Sequence, residues 1–265
     1  EATYFTATAN PFKWAARDVG SEANALKVAV IDKGADVQLT LDGPLAVSAV
    51  GTQVQNTGGT KSGYIYAWDA TTNKVSLITS DTWDTNDDVE NGVTDRNVTV
   101  VSDWYDNQVV YTGLPWSSIG PRPGTSPYVA ARGGANDEMH VVVYDSTGEI
   151  TGTPNTLVEK HTYLSKANNA RTSQGAGSYY PQAILDKSSF IYWGSHETDV
   201  YDVSANQGVV GGNIAGTGNA GSDSTTTFDL FGSPKTYTFQ KGAETGTATS
   251  GEIISGLQEF ADTET

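Results

Sequence analysis

Residues 137–193 read DEMHVVVYDSTGEITGTPNTLVEKHTYLSKANNARTSQGAGSYYPQAILDKSSFIYW, and this stretch decides the fold expected for the chain. It begins with a short β-branched run at residues 139–144, which predicts a strand. Residues 145–148 then form a turn pattern with glycine at its last position, and residues 149–151 are expected to begin the returning strand. The stretch therefore opens as a β-hairpin.

The second half of the same stretch combines extended and helical patterns. Leu157, Lys160 and Leu164 follow no regular period, which is typical of an extended segment. Residues 179–186 predict a short helix, and residues 189–193 predict a buried strand. The stretch holds many aromatic and hydroxyl side chains, but no combination of residues typical of a catalytic site.

Strand patterns dominate most of the remaining chain. Residues 26–31 are apolar except for Lys27, as expected for a central strand. GYIYAWD at 63–69 and KVSLIT at 74–79, joined by ATTN, predict a second hairpin. Near the C-terminal end, a capping-box pattern and a shared apolar face predict a helix over residues 249–262.

The composition excludes several classes of protein. The 265 residues include 15 Lys and Arg against 31 Asp and Glu, a net charge of −16, with no basic stripe. Such a surface repels phosphate backbones, so no direct nucleic-acid binding is expected. The absence of cysteine excludes disulfides and thiolate metal sites and fits assembly in a reducing cytoplasm. No apolar run approaches the roughly 20 residues of a membrane span, so no membrane insertion is expected.

An acidic stretch at residues 81–95 resembles a calcium loop without completing one. Asp84, Asn86 and Asp88 alternate as calcium ligands do in an EF-hand. The position that requires glycine is Val89, however, and no helix is predicted on either side. An exposed solvated loop is the favoured interpretation.

The three histidines provide no convincing catalytic or metal site. His140 lies inside a predicted strand, where a structural histidine is expected, and His161 is isolated. His196, Glu197 and Asp199 form a compact group, but the second histidine of a zinc-binding helix is missing. The sequence therefore predicts no catalytic, cofactor-binding or metal-binding residue, and no cofactor.

Three pieces of the sequence, taken in order, resemble contractile phage tail sheath proteins, especially those of large T4-like myoviruses. AARDVGSEANALKVAVID at 15–32 is similar to the sheath motif A-R-x-x-G-x-x-x-N-x-L-x-V. Residues 137–193 are similar to the middle region of the sheath subunit. SGEIISGLQEFADTE at 250–264 is similar to the sheath helix that follows a glycine-rich loop. With the segments joining them, these pieces cover about half to two-thirds of the chain.

The resemblance implies an α+β fold, in which a mixed β-sheet is flanked by helices and carries a β-rich insertion. Residues 1–32 and 98–265 would form the sheath-like domain, and residues 33–97 the insertion, which is expected to be surface-exposed. Sheath subunits are much longer than 265 residues, so the chain is expected to be the middle fragment of a longer subunit.

The resemblance also implies a structural, non-enzymatic function. Sheath subunits polymerise around a tail tube and contract, driving the tube through the host envelope during genome delivery. The expected partners are other copies of the sheath subunit, the tail tube protein, and the baseplate and tail terminator proteins. The expected location is the virion, in the phage tail, after assembly in the host cytoplasm.

Two other functions remain open from the residues alone. The six tryptophans, the acidic loops and the richness in Thr, Gly and Asn would also suit a β-rich carbohydrate-binding module of a secreted or virion surface protein. A glycan hydrolase is a further alternative, because many carboxylates are present, although a sequence cannot place two of them at the required separation. Both alternatives predict saccharide binding through exposed tryptophans, which the sheath resemblance by itself does not imply.

Overall fold

The computed structural model describes residues 12–18, 20–46, 49–201 and 227–240, together with three two-residue strands at 207–220. The strands, in chain order, are β1 (Trp14–Ala16), β2 (Leu26–Asp32), β3 (Val37–Leu41), β4 (Gln53–Gln55), β5 (Ser62–Asp69), β6 (Lys74–Ile78), β7 (Asp88–Glu90), β8 (Asp95–Asp103), β9 (Val109–Tyr111), β10 (Leu114–Pro115), β11 (Glu138–Asp145), β12 (Thr156–Ser165), β13 (Ile191–Trp193), β14 (Val200–Tyr201), β15 (Gln207–Gly208), β16 (Ile214–Ala215), β17 (Asn219–Ala220), β18 (Thr227–Phe228), β19 (Leu230–Phe231) and β20 (Lys235–Thr238). The helices are α1 (Pro127–Ala130) and α2 (Tyr180–Lys187), with 3-10 turns at Glu22–Ala25, Tyr105–Asn107 and Trp116–Ser118.

Four strands form the central sheet, in the order β12, β11, β2, β20, with every neighbouring pair antiparallel. β2 and β11 lie in the middle, with Met139 opposite Asp32 at one end and Asp145 opposite Leu26 at the other. Both strands are buried along almost their whole length. A strand that is covered on both faces must be apolar nearly throughout, which explains the two apolar runs in the sequence.

The two faces of the sheet pack against different parts of the chain. Val28 and Val30 point into a cluster that includes side chains of α2 and β13. Ala29 and Ile31 point the other way, into a cluster with aromatic side chains that follow β8. This division follows from the alternation of side chains along a strand.

Residues 37–103 form a closed six-stranded barrel, in the order β3, β6, β5, β4, β7, β8, and β8 pairs back onto β3. Its apolar core consists of Leu39, Leu41, Leu45, Val54, Ile65, Val75, Leu77, Trp83, Val89 and Val98. The barrel lies between β2 and β11 in the chain, so the chain leaves the sheet after Asp32 and re-enters it at Glu138.

The expected α+β fold is wrong, because the described residues form a mostly β structure. Their two α-helices have four and eight residues, whereas the barrel alone uses six strands. The central sheet is antiparallel rather than mixed, and one of its faces is covered by aromatic side chains from the barrel and 3-10 turns. Segments with only a local alternation of apolar and polar residues pair as strands with partners far away in the chain, which local patterns cannot indicate. The helix predicted over residues 249–262 lies outside the described residues.

The loop of the β11–β12 hairpin is longer than predicted, because β12 begins at Thr156 instead of Glu149. Asp145 is fully buried, and its carboxylate accepts four hydrogen bonds of 2.8 to 2.9 Å from residues 148–151. These bonds fold residues 148–151 onto the carboxylate, so these residues do not pair with β11 as the returning strand.

Candidate functional site

A groove of about 230 Å³ lies beside the barrel. Strands β3, β5 and β6 supply part of its lining. Trp104 and Gln108, which follow the barrel in the chain, supply another part, and Ser233 and Pro234 complete it. The groove therefore forms where three separate stretches of chain meet, which local sequence patterns could not have indicated.

The barrel side of the groove carries an ordered polar network. Gln38 donates from Nε2 to Ser76 Oγ at 3.4 Å, and its Oε1 accepts a hydrogen bond from Asn107 Nδ2 at 3.2 Å. Asn107 also donates to Ser102 Oγ at 2.8 Å. The Gln38 amide is thus fixed through its oxygen, while one of its two N–H groups has no partner among the described residues.

Gln108 provides a second amide with spare hydrogen-bonding capacity. Its Nε2 donates to the carbonyl oxygen of Trp104 at 2.9 Å. One N–H and the amide oxygen of Gln108 have no partner within the described part of the chain. Both glutamines are half-buried, so they are accessible to a ligand and also held by the protein.

Trp68 is the tryptophan of the groove that a ligand can reach. Trp104 is 3 % exposed and packs edge-to-face on Tyr66, with ring centroids 5.4 Å apart. Trp68 is only partly buried, and it packs against the outside of the barrel core cluster. Of the other tryptophans, Trp14, Trp83 and Trp116 are buried, and Trp193 packs against Tyr180 of α2.

Two side chains of opposite charge lie in the groove. Lys74 is exposed and forms no ion pair among the described residues. Asp69 accepts hydrogen bonds from Thr72 Oγ1 at 2.6 Å and from the Thr71 N–H at 2.9 Å, and these bonds lower the pKa of Asp69. The groove can therefore offer donors, acceptors and one aromatic surface to a polar ligand.

A second cluster surrounds His196, beside the N-terminal end of α2. The Tyr180 hydroxyl lies 2.5 Å from His196 Nδ1, and the Tyr179 hydroxyl lies 3.2 Å from His196 Nε2. Trp193 Nε1 donates to the Tyr180 hydroxyl at 3.1 Å. Burial lowers the pKa of His196 to about 4 and raises that of Tyr179 to about 12. The histidine is therefore neutral at pH 7, and its ring nitrogens are occupied.

The His196, Glu197 and Asp199 group noted in the sequence does not converge on one point. Glu197 accepts a hydrogen bond from the Tyr237 hydroxyl, whereas Asp199 forms an ion pair with Lys235. Each of the three side chains thus has its own partner. Within the described residues, no three potential ligands are placed to hold a metal ion.

The other two histidines lie apart from this cluster. His140 is fully buried, with Nε2 2.9 Å from the carbonyl oxygen of Pro121 and Nδ1 accepting the Tyr163 N–H at 3.1 Å. His161 lies 3.1 Å from a carboxylate oxygen of Glu159. His140 is therefore a neutral structural histidine with both ring nitrogens bonded.

The carboxylates of the acidic stretch bind protein groups. Lys61 forms ion pairs with Asp87 at 2.6 Å and Asp84 at 3.4 Å, and Asp84 also accepts the Asn86 N–H at 2.7 Å. Asp88 is turned towards Thr57 instead. The alternating residues of the sequence pattern thus face different partners, as expected for an ordered surface loop.

A buried ion pair, which no sequence pattern indicates, lies between the sheet and the segment carrying β19. Lys166 Nζ is 2.7 Å from Asp32 Oδ2 and 2.7 Å from the carbonyl oxygen of Asp229, and both paired side chains are almost wholly inaccessible. Asp32 also accepts the Phe231 N–H at 2.7 Å, and the Tyr66 hydroxyl donates to the Phe231 carbonyl. We call these five residues the buried polar network; it links β2, the end of β12, β19 and the barrel.

Comparison of the chain with protein-family models, with curated proteins and with solved structures gives no significant match. None of the helices in the described part of the chain is long and apolar enough to cross a membrane.

Proposed function

We propose that this chain is part of a structural subunit of a contractile phage tail sheath. The subunit would polymerise with other copies around a tail tube and contract, driving the tube through the host envelope. Baseplate and tail terminator proteins would bind the two ends of the assembly, and the subunit would be located in the virion.

One observation carries the proposal: the two resembling segments that are described pair with each other. Residues 15–32 contain β2 and residues 137–193 contain β11, and these strands pair over seven residues in the middle of the sheet. If the resemblance of these two segments to sheath proteins were accidental, nothing would require them to pair with each other in the structure. The proposal rests on this pairing and on the resemblance of the quoted segments to sheath motifs, and not on a helix-flanked sheet.

The buried polar network supports a subunit that moves as a rigid body. A contractile lattice switches between two sets of contacts between subunits, so each subunit must keep its own shape while its contacts change. Lys166, Asp32 and Phe231 join segments that are far apart in sequence, and they do so where water cannot compete. Moving these segments apart would leave buried charges without partners, which is costly.

The surface charge is compatible with a protein that is densely repeated in an assembly. A net charge of −16 keeps free subunits apart by mutual repulsion until specific contacts form. The same charge argues against direct contact with the packaged nucleic acid.

Immunogold electron microscopy tests the proposal directly, with antibody raised against the 265-residue chain and applied to particles from the source. Regular label along the tail shaft, over a length that shortens in contracted tails, is expected. Antibody absorbed beforehand with the purified chain is the control and should leave the shaft unlabelled. Label confined to fibre tips, capsids or a cell surface would contradict the proposal.

A further inference from the structure

The groove beside Trp68 has no role in the proposed function as a sheath subunit. It lies at the barrel, away from the β2–β11 pairing that carries that proposal, and its polar side chains are only partly used by the protein. Its volume of about 230 Å³ is slightly below the roughly 300 Å³ at which ordinary small-molecule pockets begin. A ligand of one or two sugar rings, or the end of a longer chain, has a suitable size.

The polar lining favours a ligand that both donates and accepts hydrogen bonds at closely spaced positions. The amides of Gln38 and Gln108 each retain an N–H, and Gln108 also retains its oxygen. Asp69 adds a carboxylate whose orientation is fixed by two hydrogen bonds from the turn. Sugar hydroxyl groups are such donors and acceptors, and they would pair with these groups without requiring a metal ion or a covalent step.

The aromatic part of the lining favours a ligand with an apolar face. Trp68 is partly exposed at the groove and partly packed on the barrel core, so its ring is available but not free to move. The C–H face of a pyranose ring can lie against such a ring while its hydroxyl groups reach the amides at the side. A preformed site of this kind loses little side-chain entropy when the ligand binds.

The charges select a neutral ligand. Lys74 is a single cation and Asp69 a nearby anion, so the groove has no local excess of positive charge. The chain as a whole carries a net charge of −16 and repels acidic polysaccharides and nucleic acids. We propose that the groove bounded by Trp68, Gln38 and Gln108 binds a neutral saccharide.

The first test maps binding on the intact chain. A ¹⁵N-labelled sample is titrated separately with maltotriose, cellotriose, N,N′,N″-triacetylchitotriose, mannotriose and lactose. At least one sugar should produce saturable shifts, concentrated at the Trp68 indole N–H and at the side-chain amides of Gln38 and Gln108. Absence of saturable shifts for every sugar up to about 20 mM, where even a weak site with a dissociation constant near 1 mM would be filled, would overturn the proposal. Shifts located elsewhere on the chain would overturn it as well.

Variants then test whether the groove residues make the contacts. Gln108→Ala and Trp68→Ala should each weaken the affinity for the binding sugar at least about fivefold, the effect of one lost hydrogen bond or more. Tyr64→Ala is the matched control, because Tyr64 is an exposed aromatic residue of the same strand that does not line the groove. Equal weakening by Tyr64→Ala and the two groove variants would contradict the assignment. Gln108 lies in a surface segment, so its variant remains informative if Trp68→Ala fails to fold.

Discussion

The central sheet and the barrel are both antiparallel, but they are stabilised in different ways. The barrel has a core of apolar side chains, and closure gives each of its strands a partner on both sides. The sheet has two edges, β12 and β20, and it depends on Lys166 and Asp32, a buried ion pair, to hold distant segments together. The comparison indicates that the barrel core is completed by the barrel's own residues, whereas the sheet is held by links across the molecule.

The largest expected loss of stability comes from breaking the buried ion pair between Lys166 and Asp32. Lys166→Met leaves the Asp32 carboxylate buried without its cation, which should reduce the free energy of unfolding by about 3–5 kcal/mol. Denaturant unfolding monitored by circular dichroism measures this loss. Lys33→Met is the matched control, because the Lys33–Asp36 pair is partly exposed and should contribute less than about 1 kcal/mol. Similar losses in the two variants would show that the buried pair has no special role.

A cavity in the barrel should have a large but local effect. Leu77 is fully buried, and Leu77→Ala should cost about 2–5 kcal/mol. If the barrel is self-contained, amide hydrogen exchange should accelerate in β3 to β8 while β2 and β11 stay protected. Val141→Ala in the sheet core is the counterpart and should accelerate exchange in the sheet. Equal acceleration in both regions would mean that the two unfold as one unit.

Removing the Asp145 carboxylate from the β11–β12 loop should cause an intermediate loss of stability, and the size of this loss should depend on pH. Burial acts to raise the pKa of Asp145, but the hydrogen bonds from Thr151, Gly148 and Ile150 outweigh it and lower the pKa. Asp145→Ala should cost about 1.5–3 kcal/mol at pH 7. Because the folded pKa is the lower one, this contribution is present above the unfolded value near 4 and is lost as the pH falls through the folded pKa. Urea unfolding should therefore show wild type and variant converging in acid, and a constant difference would contradict this explanation.

The smallest expected effect concerns His196, on the sheet side of the molecule. Its pKa is about 4 in the folded protein and about 6.5 when unfolded, so below pH 6.5 the unfolded chain binds the proton more readily and the fold loses stability. Lowering the pH from 6.5 towards 4 should remove about 1–2 kcal/mol, a figure reduced for the partial exposure of the ring. His196→Gln should lose less stability over this interval. Parallel pH profiles for the two proteins would exclude the histidine as the cause.

Sequence patterns predicted the local elements well and the long-range arrangement poorly. The apolar runs of β2 and β11 and the β5–β6 hairpin were each recognisable, because burial on both faces and tight turns leave local signatures. Barrel closure was missed, since the pairing of β3 with β8 depends on residues some sixty positions apart. Lys166 was missed because a lysine in a polar stretch indicates solvent, and only the tertiary fold brings Asp32 to it.

The groove was predictable only in part. Trp68 belonged to a set of six tryptophans considered for sugar binding, but the sequence could not separate it from the buried ones. Gln38 and Gln108 carry no motif, and they become neighbours only because the 3-10 turn after β8 folds back onto the barrel. A binding surface built from three segments has no local sequence signature.

The position of the barrel in the chain has a consequence for folding order. β2 and β11 are adjacent in the sheet although their paired residues lie more than a hundred positions apart in sequence. Bringing the ends of such a long flexible loop together is entropically unfavourable and slow. The barrel strands pair over shorter separations, and once they close, the chain left free between β2 and β11 consists of residues 33–36 and 104–137. The barrel is therefore expected to form first. Its closure shortens the free chain that must be ordered when β2 pairs with β11 in a later step.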